Sequence, residues 1–239
     1  MLKQTFIFYG FFSAFRFVKS LIRGKEIAIV YGHHILSDKV LALADDQNTI
    51  AGHTSVTELK AFIDVLSSKY QFISIDEAVK QLKEKKIQTH SIVLTFDDGF
   101  KDNLFNLLPI LKEKKIPATL YVNTSVLDDG AKLWFQSILD YFFDIEGNYF
   151  CMIHNQQEYD LTTAQSRSDS AFKYMRYLQT HHKPEDYLKL VTSLGQSNNR
   201  SNLHLNWNDL TELNKSPYIT IGAHTHRHFP LTQCDSILA

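Results

Sequence analysis

The chain has 239 residues, of which 44% are hydrophobic and 13% aromatic, so a single domain with a sizeable buried core is the default expectation. A net charge of −1 without any block of basic residues argues against a nucleic-acid partner. Two cysteines, Cys151 and Cys234, give no disulfide framework and do not fix the redox compartment.

The N-terminal segment, residues 1–26, contains an apolar stretch that is short for a membrane span. Apolar residues between Thr5 and Val18 recur at helical spacing, whereas Arg16 interrupts the run and no small-residue cleavage site follows. We predict an amphipathic helix that packs on the domain. The alternatives are peripheral membrane contact through residues 5–18 and an uncleaved signal sequence. We therefore expect a cytoplasmic or membrane-associated protein in preference to a secreted one.

From residue 27 onwards, short apolar strands alternate with stretches of helical periodicity. This alternation predicts a parallel α/β sheet, in which active sites lie at the carboxyl ends of the strands. We expect Asp76 to cap the second helix. The predicted elements are a strand over 27–31, a helix over 57–70, a strand over 72–75, a helix from 76 to about 85, a strand ending at 97, a helix near 103–114 and a strand over 118–122.

Residues 132–204 break this alternation. The pattern predicts a helix over 133–143, a hairpin over 149–161 and two helices near 163–181 and 184–194. We interpret the region as an insertion that walls one side of the active-site cleft, because linkers that would mark a separate domain are absent at both of its ends.

Two adjacent carboxylates follow the apolar strand at residues 92–96. Asp97 and Asp98 precede Gly99, so one interpretation is a simple turn. The other is a cleft in which paired carboxylates bind a cation or divide acid and base roles. Side chains alternate along a strand, but at its end both carboxylates can reach one cleft.

A second apolar strand, at residues 219–222, ends in three histidines. His224 and His228 are four residues apart, so one turn of helix would place both on one face. Two imidazoles and a carboxylate from elsewhere make a three-ligand site with an open position, which is the arrangement of catalytic metal sites. We interpret His226 as a solvated loop residue.

These two motifs resemble those of the polysaccharide deacetylase family, also called the NodB-homology domain or carbohydrate esterase family 4. The family motif Thr-Phe-Asp-Asp-Gly corresponds to residues 95–99, and His-Ser/Thr-x-x-His corresponds to residues 224–228. Residues 116–122 and 205–210 agree with the strand and helix start that flank the motifs. The resemblance spans residues 27–239 and implies a distorted (β/α) barrel of the NodB-homology type.

The resemblance also implies a role for each matching residue. Asp98, His224 and His228 would hold one divalent metal ion, with zinc preferred over cobalt or nickel. Asp97 would be the general base that takes a proton from water. His33 would be a substrate-binding group on the cleft rim, although relatives often carry Tyr-His-Arg-Ile where this chain has Gly32-His33-His34-Ile35. A local hydrogen bond is the alternative role for His33.

The implied activity is hydrolysis of N-acetyl groups from amino sugars of a polysaccharide or glycolipid. Tyr31, His33 and Trp134 would line the rim and contact the sugar. The family's proton donor is a histidine downstream of the second motif, so we expect that residue and further barrel strands beyond Ala239, with His33 as the alternative donor.

Two other functions stay open. One is a metal- or carbohydrate-binding relative without catalysis, and the other is an O-acetyl esterase. A phosphatase of the Asp-x-Asp-Gly type is disfavoured, because Phe96 occupies the position of its nucleophilic aspartate.

Overall fold

The structure is a computed structural model that describes residues 25–40, 53–129, 132–152, 156–194 and 203–234. In chain order its strands are β1 (Ile27–Gly32), β2 (His34–Leu36), β3 (His53–Ser55), β4 (Gln71–Phe72), β5 (Ser91–Phe96), β6 (Ala118–Val122), β7 (Tyr149–Met152), β8 (Gln157–Asp160) and β9 (Ile219–Ala223). The helices are α1 (Val56–Ser67), α2 (Ile75–Lys83), α3 (Leu108–Lys114), α4 (Thr124–Asp129), α5 (Trp134–Asp144), α6 (Ala164–His181), α7 (Pro184–Ser193) and α8 (Trp207–Asn214). A π-helical turn over Asn103–Leu107 runs directly into α3.

Five parallel strands form the central sheet, in the order β1-β5-β6-β9, with β4 also paired to the start of β5. Every residue of β5 is buried, including Ser91 and Thr95, as its largely apolar sequence predicts for a strand covered on both faces. Helices α1, α3 and α8 supply much of the apolar core around the sheet. The predicted parallel α/β fold is confirmed.

The predicted distorted barrel, expected to be incomplete at its C-terminal end, is not confirmed, and the described residues do not close one. Strands β1 and β9 are the two ends of the sheet, and no described pairing joins them. The physical reason is that closure needs more strands than the five that pair here, because a sheet must tilt and stagger its strands to meet itself. The described sheet is therefore open.

Helix starts follow the expected capping chemistry, with one correction. Ser74, and not Asp76, caps α2, because the Ser74 side chain accepts a hydrogen bond from the backbone N–H of Glu77. Asp76 lies in the first turn of α2, where its negative charge interacts favourably with the positive end of the helix dipole. The N-terminus of α1 carries a full capping box between Ser55 and Glu58.

The region predicted as an insertion contains the expected elements. Helix α5, the antiparallel hairpin β7–β8 and helices α6 and α7 follow each other in the predicted order. Together they enclose an aromatic cluster separate from the core of the sheet, whose buried rings belong to Trp134, Phe142, Tyr159, Tyr174 and Tyr187. The domain boundaries at residues 27 and 239 stay predictions.

The predicted amphipathic helix over residues 1–26 falls almost entirely outside the described residues. The expected membrane contact of residues 5–18 and the expected cellular location therefore also stay predictions. Within the part of the chain that the structure describes, no helix combines the length and apolar character that a membrane crossing requires.

Gly222 in β9 packs against the ring of Tyr121, its register partner in β6. A Cβ at position 222 would lie 2.6 Å from that ring, closer than any normal contact. We expect Gly222→Ala to displace the ring and to lower the free energy of unfolding by about 1–3 kcal/mol. Urea denaturation measures this loss. In a Tyr121→Ala background the same substitution should cost much less, and an equal cost in both backgrounds would contradict the steric explanation.

Candidate metal centre

The two predicted aspartates occupy a sharp turn at the carboxyl end of β5. The backbone N–H of Asp97 still donates to Gly32 O (2.9 Å), which continues the pairing with β1. Asp98 and Gly99 then both adopt left-handed backbone conformations, with φ of 71° and 68°. A Cβ at Gly99 would come within 3.0 Å of the Val122 side chain, so both the conformation and the packing require glycine there.

The two histidines predicted to bind metal lie in a turn after β9 and not on a helix, which corrects the sequence prediction. The N–H of His224 donates to Val122 O (2.8 Å) and extends the sheet by one residue. Thr225 and His228 have left-handed φ values of 64° and 57°, and the N–H of His228 donates to Thr225 Oγ1 (3.0 Å). A tight turn therefore folds His228 back towards His224, because left-handed residues at 225 and 228 interrupt any helix.

Asp98, His224 and His228 converge as predicted. Potential ligand atoms of the three side chains all lie within 4.8 Å of one another. Asp98 Oδ1 is 3.3 Å from His228 Nε2 and 3.7 Å from His224 Nε2, and the two imidazole centroids are 4.9 Å apart. One buried carboxylate and two half-buried imidazoles thus face a common point.

The properties of these groups fit a divalent metal ion. Asp98 is only 3% exposed, yet its Oδ1 has no hydrogen-bond partner among the described residues. Burial lowers the pKa of the His228 imidazole, which favours the neutral form that binds metal. A carboxylate with two imidazoles and an open side suits zinc or a similar transition metal.

Asp97 lies next to this cluster but is not part of it. Its side chain is half-buried, and burial raises the pKa of its carboxyl, as does the neighbouring Asp98 carboxylate. His224 and His33 act in the opposite direction on the Asp97 pKa, so both imidazoles are close enough to interact with it. The structure thus brings Asp97, the metal cluster and His33 together at one end of the sheet.

His33 is held in place by the π-helical turn. Asn103 Nδ2 donates to His33 O (3.1 Å), and Asn106 Nδ2 donates to Ile35 O (2.7 Å). The Asp102 carboxylate accepts from the N–H of Ile35 (3.0 Å) and lies 2.5 Å from His34 Nδ1. These three side chains fix the backbone from His33 to Ile35, while the His34 ring stacks on Phe100.

Trp134 is not a rim residue, contrary to the sequence prediction. Its side chain is buried, because it belongs to the aromatic cluster of α5 to α7. Its Nε1–H donates to His228 O (3.1 Å), and the next residue, Phe135, packs edge-on against the His228 ring (5.1 Å between centroids). The region predicted as an insertion therefore supports the turn that carries His228. Tyr31, by contrast, is 71% exposed at the end of β1, as a rim residue would be.

His226 stands apart from the cluster. It is exposed, and its Nδ1 hydrogen-bonds Thr124 Oγ1 (2.8 Å) at the start of α4. The Asn123 side-chain amide meanwhile donates to His224 O. The polar residues around 123–124 therefore fix the histidine turn from the β6 side.

Sequence reasoning missed the supporting residues Asp102, Asn103 and Asn106, and it assigned Trp134 a different role. The only signal at 102–106 was a set of polar residues at the start of an otherwise apolar helix. Their partners lie about 70 residues away along the chain, and no local pattern reveals such a contact.

The family model for polysaccharide deacetylases matches residues 84–237, more than half of the chain. The chain belongs to the polysaccharide deacetylase family. The match includes both motifs that form the metal cluster. No curated protein sequence matches the chain.

Similar solved structures include two that are described as deacetylases. A de-N-acetylase from Aggregatibacter actinomycetemcomitans has 13% identity and a TM-score of 0.44, with 83% of this chain and 54% of that one covered. The BpsB deacetylase domain from Bordetella bronchiseptica has 16% identity and a TM-score of 0.41 over the same shares of the two chains. IcaB from Ammonifex degensii has 21% identity and a TM-score of 0.38, with 48% of each chain covered. The chain spans about half the length of these structures.

We expect His228→Ala to weaken zinc binding by roughly tenfold or more, because one of three protein ligands is removed. Isothermal calorimetry on the metal-free protein measures the affinity. His226→Ala is the matched control, since the His226 imidazole forms a hydrogen bond with Thr124 instead of facing the cluster. Equal affinity of the His228→Ala variant and the unaltered protein would disprove the ligand assignment.

Proposed function

We propose that this chain is part of a metal-dependent hydrolase that removes N-acetyl groups from amino sugars of a polysaccharide or glycolipid. The observation that carries the proposal is the convergence of Asp98, His224 and His228 beside a separate carboxylate, Asp97. Membership of the polysaccharide deacetylase family supports the same reaction.

The proposed division of roles follows from position. An amide is a poor electrophile and water is a poor nucleophile, so both need activation. A divalent cation held by Asp98, His224 and His228 would supply Lewis acidity towards both the acetyl carbonyl and the attacking water. Asp97, which is not in the three-ligand cluster, would accept the proton of that water at a carboxylate oxygen.

The leaving amine must gain a proton as the carbon–nitrogen bond breaks. In the family that donor is a histidine downstream of the second motif, and His33 is the alternative among the residues of this chain. In either case His33 is held by Asn103 on the same side as Asp97. We propose that His33 contacts the substrate there, where a fixed imidazole can hydrogen-bond the sugar or its acetyl group.

Asp97→Asn should retain the metal and lower acetate release by about 10²–10⁴-fold, the usual contribution of a general base. The substitution keeps the shape of the side chain and removes its ability to accept a proton. Metal content by mass spectrometry and acetate release by a coupled assay, both on the full-length metal-loaded protein, decide the result. Loss of the metal in this variant would make Asp97 a ligand and reverse the roles of the two aspartates.

The substrate class is tested with three compounds: N-acetylglucosamine oligomers, O-acetylated xylan and a nucleotide phosphoester. We expect acetate from the first compound, because the family acts on acetylated glycans. Acetate from xylan alone would indicate an esterase that uses the same residues. Zinc binding without turnover of any compound would identify a non-catalytic relative, and phosphate release without acetate would reject deacetylation.

A further inference from the structure

Trp207, the first residue of α8, is 50% exposed despite its large apolar ring. Its indole Nε1–H donates to Asp128 Oδ1 (2.8 Å), so its polar edge already has a partner. A tryptophan fixed by its edge and exposed elsewhere offers a rigid apolar surface to another molecule. The chain's other tryptophan, Trp134, is buried and offers no such surface.

The backbone before Trp207 pairs with the turn that carries the metal-binding aspartate. The N–H of Leu205 donates to Gly99 O (2.9 Å), and the N–H of Lys101 donates to Leu203 O (2.7 Å). Trp207 follows Leu205 by two residues, a span of roughly 7 Å at most. The N-terminus of α8 therefore lies at the same end of the sheet as Asp98.

A second connection joins Trp207 to the histidine turn. Asp128, which holds the indole, is in α4, and α4 begins at Thr124. The hydroxyl of Thr124 forms a hydrogen bond with His226 Nδ1 (2.8 Å), and the N–H of Ser125 donates to His226 O (3.0 Å). Trp207 is thus connected to both turns that supply metal ligands.

We propose that Trp207 is a stacking platform for a pyranose ring, at a subsite beside the metal centre. The apolar face of a sugar ring packs well on an indole, while its hydroxyl groups stay in water. A ring bound there would belong to a neighbouring unit of the glycan and not to the acetylated unit at the metal. The natural substrate is therefore a chain of sugars. The choice of ligand rests on the proposed function, but binding at Trp207 needs no hydrolysis.

A purely structural role would give a different result. If Trp207 only links α8 to α4, its removal lowers stability and changes kcat/KM equally for short and long substrates. A stacking subsite affects only substrates long enough to reach it. Chain-length dependence therefore separates the two roles.

Kinetics on the full-length metal-loaded protein test the subsite. For the N-acetylglucosamine tetramer, Trp207→Ala should raise KM about 3- to 10-fold with kcat little changed, because aromatic stacking stabilises bound substrate and transition state alike. For the N-acetylglucosamine monosaccharide, kcat/KM should not change. Trp207→Phe should recover part of the loss for the tetramer. Asp128→Asn, which keeps an acceptor for the indole, is the matched control and should behave as the unaltered protein.

A binding experiment decides the proposal even without turnover. Titration with the glucosamine tetramer should change the tryptophan fluorescence of the protein in a saturable manner. Trp207→Phe should remove most of the change, because the remaining Trp134 ring is buried and is linked to the metal centre through His228 O. Saturable binding without acetate release from any substrate would refute the proposed function and keep the subsite. Acetate release with equal effects of Trp207→Ala on tetramer and monosaccharide, or a fluorescence change of undiminished size in Trp207→Phe, would overturn the subsite.

Discussion

The parallel register of β5, β6 and β9 is the constraint on which the rest of the site depends. Asp98 and His224 are 126 residues apart in sequence, and the sheet brings the ends of their strands to one edge. Val122, at the end of β6, contacts the residues that follow both β5 and β9. Its carbonyl accepts from the N–H of His224, and its side chain leaves space only for glycine at position 99. A shift of register on either side of β6 would separate the ligands.

The three candidate ligands lie in turns whose backbone conformations most residues avoid. Asp98, Thr225 and His228 all have left-handed φ values, which cost more for a β-branched residue such as Thr225. Surrounding packing offsets that cost. The insertion holds the His228 end of the site through Trp134 and Phe135, and the π-helical turn, a feature that often occurs at functional sites, holds the loop around His33. Separate structural units thus support the two sides of the same centre.

The sequence by itself determined the parallel α/β class, most helices and strands, and the three side chains that converge. Each of these rests on local information. A strand buried on both faces appears as an apolar run, and a helix buried on one face appears as apolar residues at helical spacing. Turn residues mark where strands end. The position of Asp98 and the two histidines directly after strands was enough to place them at one edge, because all strands of a parallel sheet end on the same side. The family resemblance supplied their roles.

Only the tertiary structure decided how the ligands meet and what holds them. The spacing of His224 and His228 suggested a helix, but their approach depends on a turn that pairing of β9 with β6 imposes. Trp134 and Trp207 both begin helices. Apolar residues flank Trp134 and asparagines flank Trp207, but these neighbours do not reveal which elements cover a ring. Trp134 is buried because α6 and α7 cover it, and Trp207 is exposed because nothing described covers its ring. The covering contacts come from distant parts of the chain, so only the tertiary structure shows them.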